Sequence, residues 1–282
     1  MHPILHDSKI HNCFAEAAQP RARGTVSISV KTVEHGTALD DLYQSGSLKC
    51  LFPRTASSAL EAVTLNTAGG ITGGDSFLLS AEAKAGSTLT LTTQAAERVY
   101  QAQPGRPGEF HSHLKVGHAA RINWLPQETI LFNGCALDRS LTVDMEEGAR
   151  LLLSEPLIFG RTAMGETLTD ASFSERIEIR RGGRPLYLDA VQLCGNIQAE
   201  LDRPFVTAGA VAMASCIYIA RDAETYLTPI RGMLPETAGA SLIGEDVLVV
   251  RMLAKDSFLL RHSLIPILNL LSQNNLPRCW MT

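Results

Sequence analysis

Thr25-Val26-Ser27-Ile28-Ser29-Val30-Lys31-Thr32-Val33 alternates apolar and polar side chains, with Val26, Ile28 and Val30 set against Ser27, Ser29 and Lys31. Successive side chains of an extended strand point to opposite faces, so this period-two pattern predicts a strand with one buried side. The signal recurs. Residues 88–92 alternate threonine with Leu89 and Leu91, and residues 121–125, 141–145, 149–153, 173–180 and 186–193 are short apolar-rich runs. Gly86, Gly117, Gly148 and the pair Gly182-Gly183 fall before or between them, where turns are needed. Many short strands with almost no helical periodicity before residue 220 predict a mainly β chain, with a large solenoid or sandwich-like body.

The tail differs. Residues 213–220 and 247–253 read as buried strands, residues 222–233 as a short helix, and residues 257–272 are apolar at helical spacing. Pro266 is expected to kink or shorten that last helix, because proline removes an intrahelical hydrogen bond. The whole chain, 1–282, therefore reads as one domain, with a β body over about 20–205 and a small α+β cap over about 206–275.

Composition narrows the function. Hydrophobic residues make up 45% and charged residues 19%, as in an ordinary globular protein. A formal net charge of -4 provides no general basic field for nucleic acid or anionic lipid. No run of eighteen uncharged apolar residues is present, and residues 1–13 hold His2, His6, Asp7 and Lys9 where a signal peptide needs an apolar stretch, so a cytoplasmic location is expected. The cysteines Cys13, Cys50, Cys135, Cys194, Cys216 and Cys279 stand singly, without the CxxC spacing of zinc sites, and read as reduced, mostly structural thiols.

The stretch Asn66-Thr67-Ala68-Gly69-Gly70-Ile71-Thr72-Gly73-Gly74-Asp75 sets two glycine pairs before a carboxylate. It lacks the Lys-Ser or Lys-Thr and the helix of a phosphate loop, leaving a tight β-turn or a functional surface. Gly74-Asp75-Ser76-Phe77-Leu78 offers an enzyme alternative, since it is similar to the nucleophile block of GDSL-type esterases with Ser76 as nucleophile. Its partners, a C-terminal Asp-x-x-His and a Gly-x-Asn-Asp oxyanion block, are missing. His111 and His113, two apart on a strand, face one side, which admits either a shared metal or a pair of hydrogen-bonded imidazoles; no third ligand of comparable quality lies near in sequence. In residues 154–166, Arg161 has Glu155 and Glu166 as candidate ion-pair partners.

In this order these stretches resemble the urease accessory protein UreD family, called UreH in some bacteria. The glycine block is similar to the family's Pro-Pro-Gly-Gly-hydrophobic-x-Gly-Gly-Asp, with Thr67-Ala68 in place of the two prolines. Residues 92–100 are similar to Thr-Thr-Pro-Gly-Ala-x-Lys-x-Tyr, with Gln94-Ala95 replacing Pro-Gly and Arg98 keeping the cation. Trp124-Leu125-Pro126-Gln127-Glu128, Gly160-Arg161 through Gly165-Glu166, and the closing Pro277-Arg278-Cys279-Trp280 also resemble family features.

The resemblance implies a mostly β, helix-like solenoid without catalytic activity of its own. It implies binding to the accessory proteins UreF and UreG, docking on apo-urease, a possible homodimer within that complex, and passage of nickel through the protein. It places Asp75, Glu155 and Asp189 along the nickel path, with Glu97 a further candidate, and makes Trp124, Pro126 and Gln127 architectural. No tightly bound cofactor is implied. A relay binds its ion loosely enough to release it, and carboxylates suit that better than clustered thiolates or imidazoles. Phe258, Leu259, Leu268 and Leu271 of the last helix serve either the core or a partner surface.

Overall fold

The computed structural model describes residues 20–161 and 164–281. Cys13, the whole 1–13 stretch, and Thr162 and Ala163 of the 154–166 segment lie outside the described residues. The alternating segment forms strand β1 (Arg23–Val33), which turns back into β2 (Gly36–Gly46) as an antiparallel hairpin. After β3 (Leu48–Leu51), the chain enters a coil that alternates between two sheets. β4 (Leu60–Asn66), β6 (Thr88–Thr93) and β9 (Arg121–Leu125) lie in one sheet. β5 (Ser76–Ala83), β8 (Gly108–Val116), β11 (Ala136–Met145) and β13 (Ala171–Arg181) lie in the other. Each strand meets its sheet neighbour only after a full turn of the coil, so these pairings are parallel. Short strands β7 (Glu97–Val99) and β10 (Thr129–Leu131) add a third side and pair in parallel with each other.

Register stacks equivalent side chains into rows. Val26, Leu79, Ser112, Leu141 and Ile177 succeed one another across the seven-stranded sheet, all buried between the sheets. The neighbouring inward row runs Gly24, Phe77, Phe110, Arg139 and Glu175, so two charges end a row that begins apolar. Ordinary burial of such aliphatic side chains contributes about 1.5–3 kcal/mol each, and the row containing Arg139 and Glu175 forgoes that gain.

The ten-stranded sheet is covered on both faces. β12 (Arg150–Phe159) is buried along nearly its whole length, so it reads as a continuous apolar run and not an alternation. The expected end at residue 153 is thereby corrected: the strand continues through Glu155 to Phe159. Pro156 is tolerated because β12 leaves β9 after Leu153 and joins β10 at Leu157, and the missing N–H falls in that gap.

The chain closes with β14 (Arg184–Gly195), the five-residue helix α1 (Ile197–Leu201), β15 (Ala212–Ile219), α2 (Ala223–Arg231), β16 (Ala238–Ile243), β17 (Val247–Ala254) and α3 (Ser257–Leu271). The cap's strands continue the ten-stranded sheet. α3 begins at Asp256, whose carboxylate accepts from Leu259 N at 2.8 Å, and it runs on past Pro266 for five residues. The shortening expected from proline does not occur, since packing of Leu260, Leu264, Ile267, Leu268 and Leu271 outweighs the lost bond. Leu268 and Leu271 are core, whereas Phe258 and Leu259 of the first turn are exposed. No helix among the described residues is long and apolar enough to cross a membrane.

Candidate functional site: an acidic cavity between the sheets

Where the Arg139 row meets the end of β9, the packed interior gives way to a cavity of about 50 Å³, room for a few waters. Glu155 enters it from β12, Arg139 and Glu175 from the opposite sheet, and Glu97 from β7. A wider vestibule of about 200 Å³ adjoins it, and Thr64, Thr93, Glu97 and Phe110 line both, so Glu97 stands at the junction.

Each carboxylate has a specific neighbourhood. Glu155 Oε1 accepts the indole Nε1–H of Trp124 at 2.6 Å, and its Oε2 lies 3.1 Å from Arg139 Nη1. Arg139 Nη2 contacts Glu175 Oε1, and Nη1 also donates to Thr129 Oγ1 at 2.8 Å. Glu97 Oε1 accepts a long bond from Asn66 Nδ2, 3.4 Å. Burial pushes the Glu97 carboxyl up to about 7, against that hydrogen bond and the Arg98 amide. Burial likewise raises Glu155, against the pull of Arg139 and the Trp124 indole. Three carboxyl groups facing one guanidinium leave the cavity with acids in excess, and a cation entering it would draw the buried acids toward their charged form.

The residues singled out from the sequence separate here. Glu97 and Glu155 are brought together. Asp75 is buried but lies outside the cavity: Oδ1 accepts from Ala22 N at 2.8 Å and Oδ2 from Thr72 N at 2.9 Å, closing the glycine loop. Gly70 is required in that loop, because a Cβ there would fall 2.3 Å from the Tyr100 ring. The loop nevertheless bears on the cavity, since Asn66 and Gly69 line the vestibule and Asn66 Nδ2 also donates to Gly70 O at 2.9 Å. Asp189 lies on edge strand β14, paired with Arg251 and away from the cavity. Arg139 and Glu175 were not among the residues singled out. Their signal was legible, since each holds an inward position in an alternating strand, between Leu137 and Leu141 and between Phe173 and Ile177.

The other motifs resolve into structure. Gln127 donates from Nε2 to Cys279 O at 2.8 Å and accepts from Arg261 Nη1, tying the cavity wall to α3 and the C-terminal turn. His111 pairs with Ser140 and His113 with Asp144, each at 2.8 Å. Among the described residues, no group of three His, Cys, Asp or Glu is arranged to hold a metal ion. Arg161 pairs with Glu166, not Glu155. Cys50, Cys135 and Cys216 are buried, and burial pushes each thiol up to about 12, leaving them unreactive. Ser76 is exposed beside Arg23 and Glu109, and no histidine is hydrogen-bonded to it among the described residues, so the esterase alternative has no base.

Comparison with known proteins gives the family. The UreD urease accessory protein family model matches residues 22–281. The chain is 59% identical to a Urease accessory protein UreD of Ruegeria pomeroyi, over 90% of this chain and 99% of the relative. It is 48% identical to one of Roseobacter denitrificans, covering 93% and 96%, and 40% identical to one of Rhizobium etli, covering 94% and 98%. With near-complete coverage on both sides and a two-sheet parallel coil beneath it, the chain belongs to the UreD urease accessory protein family.

Proposed function

We propose that this protein is a non-catalytic, cytoplasmic maturation factor for urease that binds UreF and UreG, docks on apo-urease, and passes nickel through the acidic cavity. The observation that carries this reading is the cavity itself: Glu97 at its mouth and Glu155 and Glu175 within, between sheets whose packed core is apolar. Carboxylate oxygens suit transient ligation of a divalent ion, and their spread over three strands disfavours a closed site that would trap it. Asp75 then supports the path from outside by closing the loop at the vestibule wall, whereas Asp189, paired with Arg251 of β17, stands apart from it. A homodimer within the accessory complex is part of the same proposal.

The test is urease activation in a reconstituted system at limiting nickel, with pull-down by UreF and UreG measured in parallel. Glu97→Gln and Glu155→Gln are expected to lower activation several-fold while leaving capture by UreF and UreG unchanged. Full activation by both variants would remove the conduit.

A further inference from the structure

Among the described residues that line the cavity, Arg139 is the one whose charge opposes a cation path. It occupies an inward position of β11, in register with Phe110 on one side and Glu175 on the other. Its guanidinium reaches Glu155 across the space between the sheets and Glu175 on the neighbouring strand, and it lies 5.8 Å from the Phe173 ring centroid. The pairing leaves polar atoms unsatisfied: Glu155 Oε2, Arg139 Nε and Arg139 Nη2 are buried without a hydrogen bond of good geometry. Glu155 is 5% exposed, so its Oε2 is held by charge alone. Buried ion pairs built for stability satisfy such atoms, because desolvation otherwise cancels the Coulombic gain. Thr129, in register with Glu97, gives the guanidinium a neutral anchor through its Oγ1 besides the two acids.

Resting on the conduit reading, we propose that Arg139 is a displaceable counter-ion lock: its guanidinium fills the position between Glu155 and Glu175 that a divalent cation takes in transit, so the ion passes only by exchanging with it. The lock prevents the facing carboxylates of Glu155 and Glu175 from becoming a permanent metal site. In the exchange a dication takes the place of a monocation beside the same two carboxylates and neutralises both, and no bond other than ligation forms or breaks.

The test is equilibrium dialysis of the full chain against Ni²⁺. Arg139→Gln deletes the lock while leaving the carboxylates of Glu155 and Glu175 in place. It is expected to bind Ni²⁺ at least tenfold more tightly than the unsubstituted chain and to lose that gain when Glu155→Gln is added. Arg176→Gln, the same change at an exposed ion pair, is expected to have no effect. Binding by Arg139→Gln equal to that of the unsubstituted chain, or an equal gain in the surface control, overturns the lock. Should Arg139→Gln not fold, Arg139→Met, which keeps an apolar stem against Phe173, carries the same comparison with the same outcomes. Dialysis reads the lock and urease activation reads the conduit, so each fails separately. Gain of binding with full activation by Glu97→Gln and Glu155→Gln retains the lock alone, and the reverse pattern retains the conduit alone.

Discussion

Trp124 on β9 donates its indole N–H to Glu155 on the neighbouring β12, 2.6 Å apart, although neither residue adjoins the other in register. The bond fixes a buried carboxylate at the cavity wall and gives the tryptophan a role beyond filling space. Trp124→Phe retains most of the apolar contact but deletes the donor. It is expected to cost about 1–2 kcal/mol in chemical denaturation, with m unchanged. Adding Glu155→Gln to it should recover part of that loss, because the carboxylate that needed the donor is gone.

Asp75 and Glu155 separate folding from function. Asp75→Ala leaves the Ala22 and Thr72 amides without their acceptor, at about 1–3 kcal/mol. Its folded yield, capture by UreF and urease activation are expected to fall together. With Glu155→Gln, activation alone is expected to fall; a parallel loss of UreF capture would make Glu155 a structural residue.

Asp189→Ala is expected to be nearly silent. Its partner Arg251 is about half exposed, and pairs of that kind contribute about 0–1 kcal/mol. Activation at limiting nickel should match that of the unsubstituted chain. A several-fold drop with intact pull-down would place part of the nickel path along β14.

Glu97 gives stability a pH dependence of known sign. Burial raises its carboxyl to about 7 in the folded chain from an ordinary value near 4.5, so between those limits the folded state binds more protons than the unfolded one. Stability contributed by the neutral form is present below that window and is lost as pH rises through it. Thermal melts from pH 5 to 7.5 should show a decline of about 2 kcal/mol attributable to this group. Glu97→Gln, which cannot ionise, should flatten the profile, and an unchanged slope would show that Glu97 is solvated in the fold.

Gly70→Ala tests the glycine block. The added methyl has no room beside Tyr100 and the Arg98 carbonyl, and the residue's φ of +156° is one that L side chains rarely adopt. A loss of about 2–4 kcal/mol in urea denaturation is expected. Gly69→Ala has open space around its Cβ and should cost less.

β6 and β9 are buried on both faces, and were legible as an alternation of threonine and leucine and as a short apolar-rich run, 121–125, that coincides with its strand. Amphipathic alternation exposed β1, where one strand face is buried and the other partly open. It failed at β12, where burial on both faces erases the period, so Glu155 read as a loop residue beyond an apolar run although it lies inside a strand. α1 escaped because five residues carry too little helical period to register.

The sequence by itself determined the β class, the α+β close and the family resemblance, because strand alternation and short motifs are local and survive without knowledge of packing. Only the tertiary structure decided which acids meet. Glu97, Arg139, Glu155 and Glu175 are separated by up to 78 positions along the chain, and what joins them is the register of parallel strands around the coil. That register is set by loop lengths and by burial of whole rows at once, a collective quantity that no single segment encodes. The same collective packing left Asp189 at a sheet edge and turned Asp75 into the clasp of a loop, although beside Glu155 in the sequence motifs all three acids had looked alike.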